Sequence, residues 1–508
     1  MNGKDMLEWM NGLDDKAVID ADVTPVRVKK RNAWKIGISV AAGVLAVALL
    51  TYIIYPYIKG KKNGKPDISQ TTDFPQNSDT SISDTSTAIE TQILKVFEMA
   101  APVYPASRNI QQNYEKMDAY AKYCTEITRK VLSDGVGENK IFSPLSLYMS
   151  LSMAAEISDG NTRQQILDVM HQPDIKAARN TAKSIWLANY MNNGEDKLLL
   201  ANSLWLNSGW TFEQSLLDIL ASDYFASSFS GDPTDADYSS AYREWLSEQT
   251  DGLLDDNLGG AQLDPEMLIT LASSVNFSGS WESSFGYGEE GIFHGTSGDV
   301  TTYFYNSLGR VRSYTGENFI SAVVKLKGNG SVRFILPEEG MTPEQLLQDE
   351  ELFDFMNDAA PNWDPLKIVE KEPKHTDYPN HLDYPTYENL TEIEYPTLTM
   401  PLVDFTSSFY LNEYCRELGI TDVFDPSCAD FSPLTKQGKG QLSVDSINQD
   451  ARIIIDEFGC KAVAITTWYI GTGDDPIFDN KIVLDRPYIV EVVSESGLPL
   501  FVGIVNNI

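Results

Sequence analysis

The most informative segment of the sequence runs from Asp456 to Thr467 and reads DEFGCKAVAITT. Beyond Gly459, alternate positions carry small side chains, namely Cys460, Ala462, Ala464 and Thr466. A period of two is typical of a strand with one small and one larger face. The run leads into GTGDDP at 471–476, which is typical of an exposed loop. The pattern therefore predicts either an ordinary hairpin arm or a loop segment small enough to enter between existing strands.

The residues around this stretch favour the second interpretation. Glu457, Gly459, Lys461, Ala462, Ala464 and Thr466 together resemble the reactive-loop hinge of the serpins, a family of loop-inserting protease inhibitors. Further serpin-like motifs follow in family order: NKIFSPLS at 139–146, NSLW at 202–205, VNFSGSW at 275–281, FILP at 334–337, LGITDVF at 418–424, ADFS at 429–432, DRPY at 485–488 and LFVG at 500–503. One motif would be weak, but this ordered series indicates a serpin-like domain over 95–508.

The resemblance implies an α+β fold with a central, mostly antiparallel sheet, surrounding helices and an exposed reactive loop at 457–483. Apolar spacing of three and four predicts helices at 117–132 and 145–170, the second broken at Asp159–Thr162 with Thr162 as a helix cap. Apolar runs predict strands at 268–277, 321–327, 332–336, 398–405, 451–455, 483–493 and 500–505. Helices early and strands late agree with a mixed fold.

The resemblance also implies a mechanism that needs no catalytic group in this chain. A target serine protease would attack the reactive loop as a substrate and form an acyl-enzyme bond with it. The cut loop would then insert into the central sheet as a new strand, as serpin loops do. The 14 residues of 460–473 would carry the protease about 46 Å, at ~3.3 Å per residue. A shift of ~1 Å already impairs a catalytic site, so the acyl bond would persist.

Functional roles are carried over by position. Glu457 and Gly459 would start the hinge, and Cys460, Ala462, Ala464 and Thr466 would face inward on insertion. The region through which the strands part would comprise Phe142, Ser143, Pro144, Ser146, Asn202 and Gln449. Trp281 would lie near the top of the sheet, where insertion begins. Cys460 stands where the family usually has Thr, Gln449 where it frequently has His, and the bulky Trp468 falls on the inward face.

The scissile bond stays open between two ways of counting. Counting from the hinge places it after Gly473, whereas counting back from Pro487 places it nearer Pro476. The candidates are Thr472, Gly473, Asp474 and Asp475. No Lys or Arg occurs between Lys461 and Lys481, which disfavours a trypsin-like target. Small loop residues favour an elastase- or subtilisin-like protease, and Trp468 with Tyr469 leaves a chymotrypsin-like one open.

The N-terminal part predicts a membrane anchor. Residues 36–58 form an uncharged apolar run of 23 residues, about 34 Å as a helix and enough to cross a bilayer core. Residues 1–35 would be a cytoplasmic tail, and 59–94 a flexible stalk rich in Ser, Thr and Asp. Basic residues flank the apolar run almost equally, so the inhibitor resemblance places the serpin-like domain outside the cell. Anchor and stalk together favour a membrane-anchored, bacterial-type member acting at the cell surface.

Composition excludes several other classes. The net charge is −34, and residues 67–508 alone carry 28 basic and 67 acidic residues, so nucleic acid is disfavoured as a partner. Four cysteines are too few for a disulfide scaffold, although Cys415 and Cys428 could bridge. The four histidines belong to no recognisable catalytic motif. The proline-rich region 359–393 is predicted to be an insertion loop, and its His375 and His381 match no standard metal-ligand spacing. We expect no metal and no cofactor.

Three functional hypotheses remain. The first is a membrane-tethered serine protease inhibitor, with a cysteine protease as a lesser variant of the target. The second is a non-inhibitory binding or scaffold protein of the same fold, for which Trp468 is the only hint. The third, a cell-surface hydrolase, lacks any recognisable site. The sequence therefore favours a protein that is not an enzyme.

Overall fold

The fold was analysed in a computed structural model of the 508-residue chain. The structure describes residues 96–105, 117–192, 196–255, 262–265, 267–286, 288–328, 330–358, 367–370, 391–394, 396–436, 439–440, 442–444, 446–460 and 481–508, with position 266 among those left out. The predicted tail, membrane span and stalk (1–94) lie outside these residues. Among the described residues, no helix is long and apolar enough to cross a membrane.

Most helices lie in the first half of the described chain. They are α1 (Met117–Leu132), α2 (Pro144–Ile157), α3 (Gly160–Val169), α4 (Ile175–Asn189), α5 (Gln214–Asp223), α6 (Ala236–Gln249), α7 (Pro343–Leu346), α8 (Glu350–Asn357) and α9 (Asn412–Glu417), with a 3₁₀ turn at Asp422–Phe424. The first matches the range predicted from apolar spacing. Its buried face carries Tyr120, Tyr123, Ile127 and Val131, three or four residues apart as an amphipathic helix requires.

Helix α2 is buried along almost its whole length, which explains its weak amphipathic pattern. Ser143 caps it by accepting a hydrogen bond from Ser146 N, and Pro144 occupies the first turn, where a missing N–H costs nothing. The predicted break after α2 is present, but the predicted cap is wrong. Helix α3 begins at Gly160, so Thr162 lies inside it, and its Oγ1 accepts a hydrogen bond from Asp430 N at 3.0 Å.

The largest described sheet has eight strands. Its strands in spatial order are β1 (Val96–Ala100), β5 (Ala226–Gly231), β4 (Lys197–Asn207), β6 (Ile269–Ser280), β17 (Gly459–Cys460), β16 (Asn448–Ile455) and β15 (Val403–Tyr410), with β3 (Met191–Asn192) paired to β4. Only β4 and β5 pair in parallel; the other pairs of this sheet are antiparallel. This agrees with the predicted central, mostly antiparallel sheet.

Two further sheets complete the body. One contains β2 (Lys140–Phe142), β20 (Pro499–Val505), β19 (Tyr488–Val493), β11 (Ser331–Pro337), β10 (Phe319–Lys325) and β9 (Arg312–Thr315); the other contains β18 (Lys481–Val483), β14 (Thr397–Pro401), β8 (Gly298–Asn306) and β7 (Glu289–Gly295). Two of the predicted strands each cover parts of two separate strands. The run 398–405 divides at Leu402 between two sheets, and the run 483–493 divides around Pro487, which lacks the N–H that a sheet interior needs.

Three further features of the sequence are the predicted insertion, the possible disulfide and the possible metal ligands. Within the predicted insertion 359–393, the described ends form a two-stranded ladder of β12 (Lys367–Glu370) and β13 (Thr391–Glu394); the remainder, with both of its histidines, lies outside the described residues. Cys415 is buried and Cys428 is exposed, and the two form no disulfide. Among the residues that the structure describes, no cluster of His, Cys, Asp and Glu could hold a metal ion.

Candidate functional site: the opening in the central sheet

The described part of the hinge begins with a tight turn after β16. Asp456 Oδ1 accepts hydrogen bonds from Phe458 N at 2.8 Å and from Gly459 N at 2.9 Å, and Asp456 N donates to Gly459 O at 3.0 Å. A short acidic side chain that bonds its own backbone two and three residues later is a standard way to fix a turn. The chain therefore reverses at 456–459 and re-enters the sheet.

The described part of the re-entering strand comprises two residues. Gly459 and Cys460 lie between β6 and β16: Cys460 pairs with Ile455 on one side and Gly279 on the other, and Gly459 pairs with Ser280. Among the described residues, no ladder joins β6 directly to β16, so β17 is what connects the two strands. The central sheet therefore has room for a strand between β6 and β16. Gly459 and Cys460 of the hinge occupy the start of this strand position.

Gly459 is required by close backbone approach. A Cβ at this position would lie 2.4 Å from Gly279 O and 3.1 Å from the Ser280 Cα, and distances below 3 Å force backbone to move. Cys460 is 4% exposed, and burial, followed by the nearby Asp456 carboxylate, raises the pKa of its thiol to about 12. A thiol with that pKa stays protonated at neutral pH, so Cys460 acts here as a small buried side chain.

Trp281, predicted at the top of the sheet, holds the turn from the β6 side. Its indole Nε1 donates to Asp456 O at 2.8 Å, and its backbone N donates to Phe458 O at 2.9 Å. Phe285 N adds a third bond, to Glu457 O at 3.1 Å. All three carbonyl groups of the turn 456–458 are thus held by the segment that follows β6.

The predicted strand-parting residues surround the start of α2. Gln449, on β16, makes two hydrogen bonds to the backbone of Ser143: its Oε1 accepts from Ser143 N at 2.8 Å, and its Nε2 donates to Ser143 O at 2.9 Å. Ser143 Oγ also donates to Leu500 O at 2.8 Å. Phe142 is fully buried and packs edge-on against Phe409 of β15 at 5.9 Å. The β16 side of the opening is therefore anchored to α2 by one side-chain amide.

A separate set of contacts anchors the β6 side. Ser146 Oγ, from the first turn of α2, donates to Ser273 O on β6 at 2.9 Å. Ser273 Oγ donates to Asn202 Oδ1 at 2.8 Å, and Asn202 Nδ2 donates to Tyr224 O at 2.8 Å. Helix α2 therefore bonds both strands that border the opening, through Ser143 to β16 and through Ser146 to β6.

The structure brings the ten described candidates together in two places. Glu457, Gly459, Cys460 and Trp281 meet at the top of the opening, and Phe142, Ser143, Pro144, Ser146, Asn202 and Gln449 lie around the start of α2. The other hinge candidates, Lys461, Ala462, Ala464 and Thr466, lie outside the described residues. So do Trp468 and the scissile-bond candidates Thr472, Gly473, Asp474 and Asp475. The functional roles of all these residues, described or not, stay predictions.

Sequence reasoning missed three residues of this site. Asp456 had a readable signal, because an Asp before a Gly-containing turn commonly bonds its own backbone. Phe285 contributes a backbone N–H, so its identity carries no information about the contact. The alternation of apolar and polar residues predicts which face of the strand Ser273 lies on, but not its bonding partner. That partner, Asn202, is 71 positions away. Neither could be inferred from local pattern.

Comparison with known proteins agrees with this geometry. The family model "Serpin (serine protease inhibitor)" matches residues 118–508, so the chain belongs to the serpin family. Glia-derived nexin of Mus musculus is 24% identical over 401 residues, which cover 75% of this chain and 91% of that protein. The native state of the thermophilic serpin tengpin aligns with a TM-score of 0.64 and 23% identity, covering 82% of this chain and all of that one.

A third neighbour shows how widely the fold is used. Thyroxine-binding globulin, solved in complex with thyroxine, aligns with a TM-score of 0.61 and 16% identity, covering 78% of this chain and 99% of that one. At this identity the likeness concerns the fold alone. Family membership indicates a protease inhibitor and not an enzyme, although some serpins are non-inhibitory, and it does not indicate the source or the location of this chain.

Proposed function

We propose that this serpin is an inhibitory, membrane-tethered member that traps serine proteases as acyl-enzymes. The observation that carries the proposal is the entry of Gly459 and Cys460 between β6 and β16, two strands with no direct ladder between them in the described residues. A cut loop would extend β17 along this position. Small alternate side chains at 462, 464 and 466 would let it do so with little new volume.

The covalent step belongs to the protease. Its serine Oγ adds to the carbonyl carbon of the scissile residue, and the protease histidine takes the serine proton. The peptide C–N bond then breaks, the histidine proton passes to the leaving nitrogen, and an ester joins the protease to the N-terminal part of the loop. Insertion of the loop after this point would carry the ester away before water attacks it. The chain's own part is to supply the loop and the strand position.

The proposed targets have no preference for basic residues. Because no Lys or Arg lies between Lys461 and Lys481, elastase-, subtilisin- and chymotrypsin-like proteases fit the loop better than trypsin-like ones. The acidic domain would attract cationic proteases over long range at low salt. Among the scissile-bond candidates, cleavage after Thr472 or Gly473 suits a protease with a small specificity pocket.

Denaturing gels test the inhibitory proposal. The full chain in detergent would be mixed with each of the three protease classes, and with the same proteases pre-inactivated at the active-site serine as controls. A band at the summed mass that survives SDS, and only with active protease, is the expected result. Mass spectrometry of the released C-terminal fragment would identify the scissile bond. Cleavage by every protease without such a band would exclude trapping.

The proposed location rests on residues 36–58, a run of 23 residues with no charge. A helix of this length crosses a bilayer core, with 1–35 in the cytoplasm and the serpin domain outside. Membrane fractionation, followed by protease treatment of intact cells, tests both parts. We expect the chain in the membrane fraction and the serpin domain degraded from outside; a chain protected until the cells are lysed would reverse the orientation.

A non-inhibitory binding protein is the second candidate. Trp468 favours it, because a bulky side chain on the inward face of the loop would strain a fully inserted strand. In that case the loop would be cut without trapping, and the cut protein would gain no stability.

A further inference from the structure

The largest described sheet ends in a strand with one neighbour. Strand β1 pairs antiparallel with β5, with Val96 opposite Gly231 and Glu98 opposite Phe229, and no other described strand pairs with it. An edge strand presents a row of backbone N–H and C=O groups on its outer side. Within the described part of the chain, no strand takes up the outward groups of β1.

Apolar side chains lie exposed along this edge. Phe97 and Met99 are 54% and 37% exposed, and they share one face because they are two positions apart on β1. Val103, shortly after the strand, is 60% exposed. Two hydrogen bonds hold this stretch against α5: Gln214 Nε2 donates to Met99 O at 3.3 Å. Val103 N donates to Ala221 O at 2.9 Å. Phe97, Met99 and Val103 together form the edge patch.

Strand β1 has little of the usual protection against pairing with another chain. Edge strands are commonly protected by lysine, proline, inward-pointing charges or bulges. β1 reads VFEMA, with Glu98 as its one charged residue. Its bulge lies between Glu98 and Ala100, so the ladder is regular over 96–98. An exposed apolar edge of this kind marks a surface for strand pairing.

The distribution of charge favours a second copy of this chain as the partner. Residues 67–508 carry 28 basic and 67 acidic residues, so two copies repel each other over much of their surface. The segment VFEMAAPVYP at 96–105 contains one charged residue in ten, so contact at this edge brings little like charge together. A two-fold axis would also place the same edge opposite itself, as in the isologous interfaces of homodimers.

We propose that this chain forms a two-fold homodimer in which β1 pairs antiparallel with β1 of a second copy and the two edge patches pack together. When Phe97 lies opposite Phe97 of the partner subunit, Glu98 lies opposite Val96 of the partner subunit. This register gives a central aromatic pair and keeps the two carboxylates from facing each other directly. The ladder is short, so the contact is weak in solution, and the proposed membrane span would raise the effective concentration of copies. The contact itself depends neither on that span nor on protease inhibition.

Sedimentation of the full chain in detergent tests the proposal. Phe97→Asp places two carboxylates opposite each other at the centre of the ladder. Val136→Asp adds the same charge at an apolar side chain that is 71% exposed in the loop after α1, and it is the matched control. We expect the dissociation constant of the dimer to rise at least about 10-fold in Phe97→Asp and to change less than about twofold in Val136→Asp. Because both copies are acidic, the wild-type dimer should strengthen between about 20 and about 300 mM NaCl.

Oxidative crosslinking in membranes tests the register. Cys428→Ser first removes the exposed one of the four cysteines. In that background, Phe97→Cys should yield a dimer on non-reducing gels and Val136→Cys should not, because the Cβ atoms of opposed residues lie about 4.5–5.5 Å apart.

The unfolding temperature shows whether each variant folds. If Phe97→Asp does not fold, Phe97→Thr keeps strand propensity, removes the aromatic pair and should weaken the dimer less, in the same direction. A wild type that stays monomeric at every concentration would overturn the proposal and leave the edge patch to another protein or to residues before 96. A dimer that neither Phe97 variant weakens would equally overturn it, because the contact would then lie elsewhere.

Discussion

At the scale of single residues, the site depends on how closely backbones approach. Gly459 lies against the backbone of Gly279 and Ser280, and Gln449 bonds the backbone of Ser143 rather than a side chain. Gly459 therefore has no room for an added Cβ, and Gln449 cannot lose its side-chain amide without breaking these bonds. Two predictions follow from these geometries.

The first concerns Gly459→Ala. Because the new Cβ would lie 2.4 Å from Gly279 O, we expect the hinge to withdraw from between β6 and β16, at a cost of about 1–3 kcal/mol, as for other overpacked sites. The reactive loop should then be cleaved faster in limited proteolysis. Cys460→Ala, which adds no atom, is the control and should be cleaved at the wild-type rate. Wild-type cleavage kinetics for Gly459→Ala would show that the hinge does not occupy this position.

The second concerns Gln449→Ala. The substitution removes the acceptor of the buried Ser143 N–H, while Ser143 O loses one donor and still accepts from Leu147 N at 3.4 Å. An unsatisfied buried polar group costs about 1–3 kcal/mol. We expect a loss of that size in the free energy of unfolding measured in urea. Asn448→Ala, in which an exposed amide that bonds Ser446 Oγ is lost, should change stability by less than ~0.5 kcal/mol. Similar losses for both variants would contradict the role given to Gln449.

At the scale of elements, strands β11 and β19 are joined by a buried ion pair. Arg333 Nη1 lies 3.2 Å from Glu491 Oε2, and the two residues are direct cross-strand neighbours. Arg333 also donates to the carbonyls of Phe355, Met356 and Asp358 at the end of α8. Glu491 is fully buried, and its Oε1 has no hydrogen-bond partner in the described structure. Arg333 thus links two strands to the end of α8, whereas only one carboxylate oxygen of Glu491 has a hydrogen-bond partner.

Burial raises the pKa of Glu491 from 4.5 to about 7, and Arg333 offsets only part of this effect. A carboxyl whose pKa is higher in the folded protein favours folding when it is protonated. Ionised Glu491 therefore lowers the free energy of unfolding. This loss is absent below about pH 4.5 and reaches its full size, roughly 3 kcal/mol, above about pH 7. Stability should fall through this window as the pH rises.

Urea unfolding of wild type and Glu491→Gln at pH 5 and pH 8 measures this contribution. We expect the wild type to lose more stability than Glu491→Gln between the two pH values, since Gln cannot ionise. Glu350→Gln, at an exposed position that pairs with Arg129, should follow the wild-type pH dependence. Parallel pH profiles for wild type and Glu491→Gln would show that Glu491 does not titrate in this range.

The elements also show what a sequence can and cannot predict. Helix α1 matched its predicted range because its apolar spacing extends to both ends. The run 398–405 and the run 483–493 were each divided between two sheets, because local periodicity does not record where a chain passes from one sheet to another. The resemblance pointed to Ser143, Asn202 and Gln449, but their hydrogen bonds reach partners up to 306 positions away, Ser143 with Gln449 and Asn202 with Ser273. Those pairings depend on tertiary register and not on local pattern.

At the scale of the whole molecule, trapping by loop insertion requires the native fold to be metastable. Among the described residues, Gly459 and Cys460 of the hinge lie between β6 and β16, and α2 bonds both bordering strands through Ser143 and Ser146. A longer inserted strand would satisfy the facing edges of β6 and β16 with a full ladder. The protein would then persist in its native state because the barrier to insertion is high, which is kinetic stability.

Thermal unfolding before and after a single cut in the reactive loop tests this central claim most directly. The loop would be nicked between 468 and 476 by a metalloprotease, which uses a metal-activated water and forms no acyl-enzyme that could be trapped. The cut would be located by mass spectrometry, and both forms would be heated under identical conditions. We predict that the cut form unfolds at least about 10 °C above the intact form, because a local change of 1 kcal/mol shifts a domain of 150–250 residues by only about 2–4 °C. A cut form that unfolds at or below the temperature of the intact form would contradict insertion between β6 and β16.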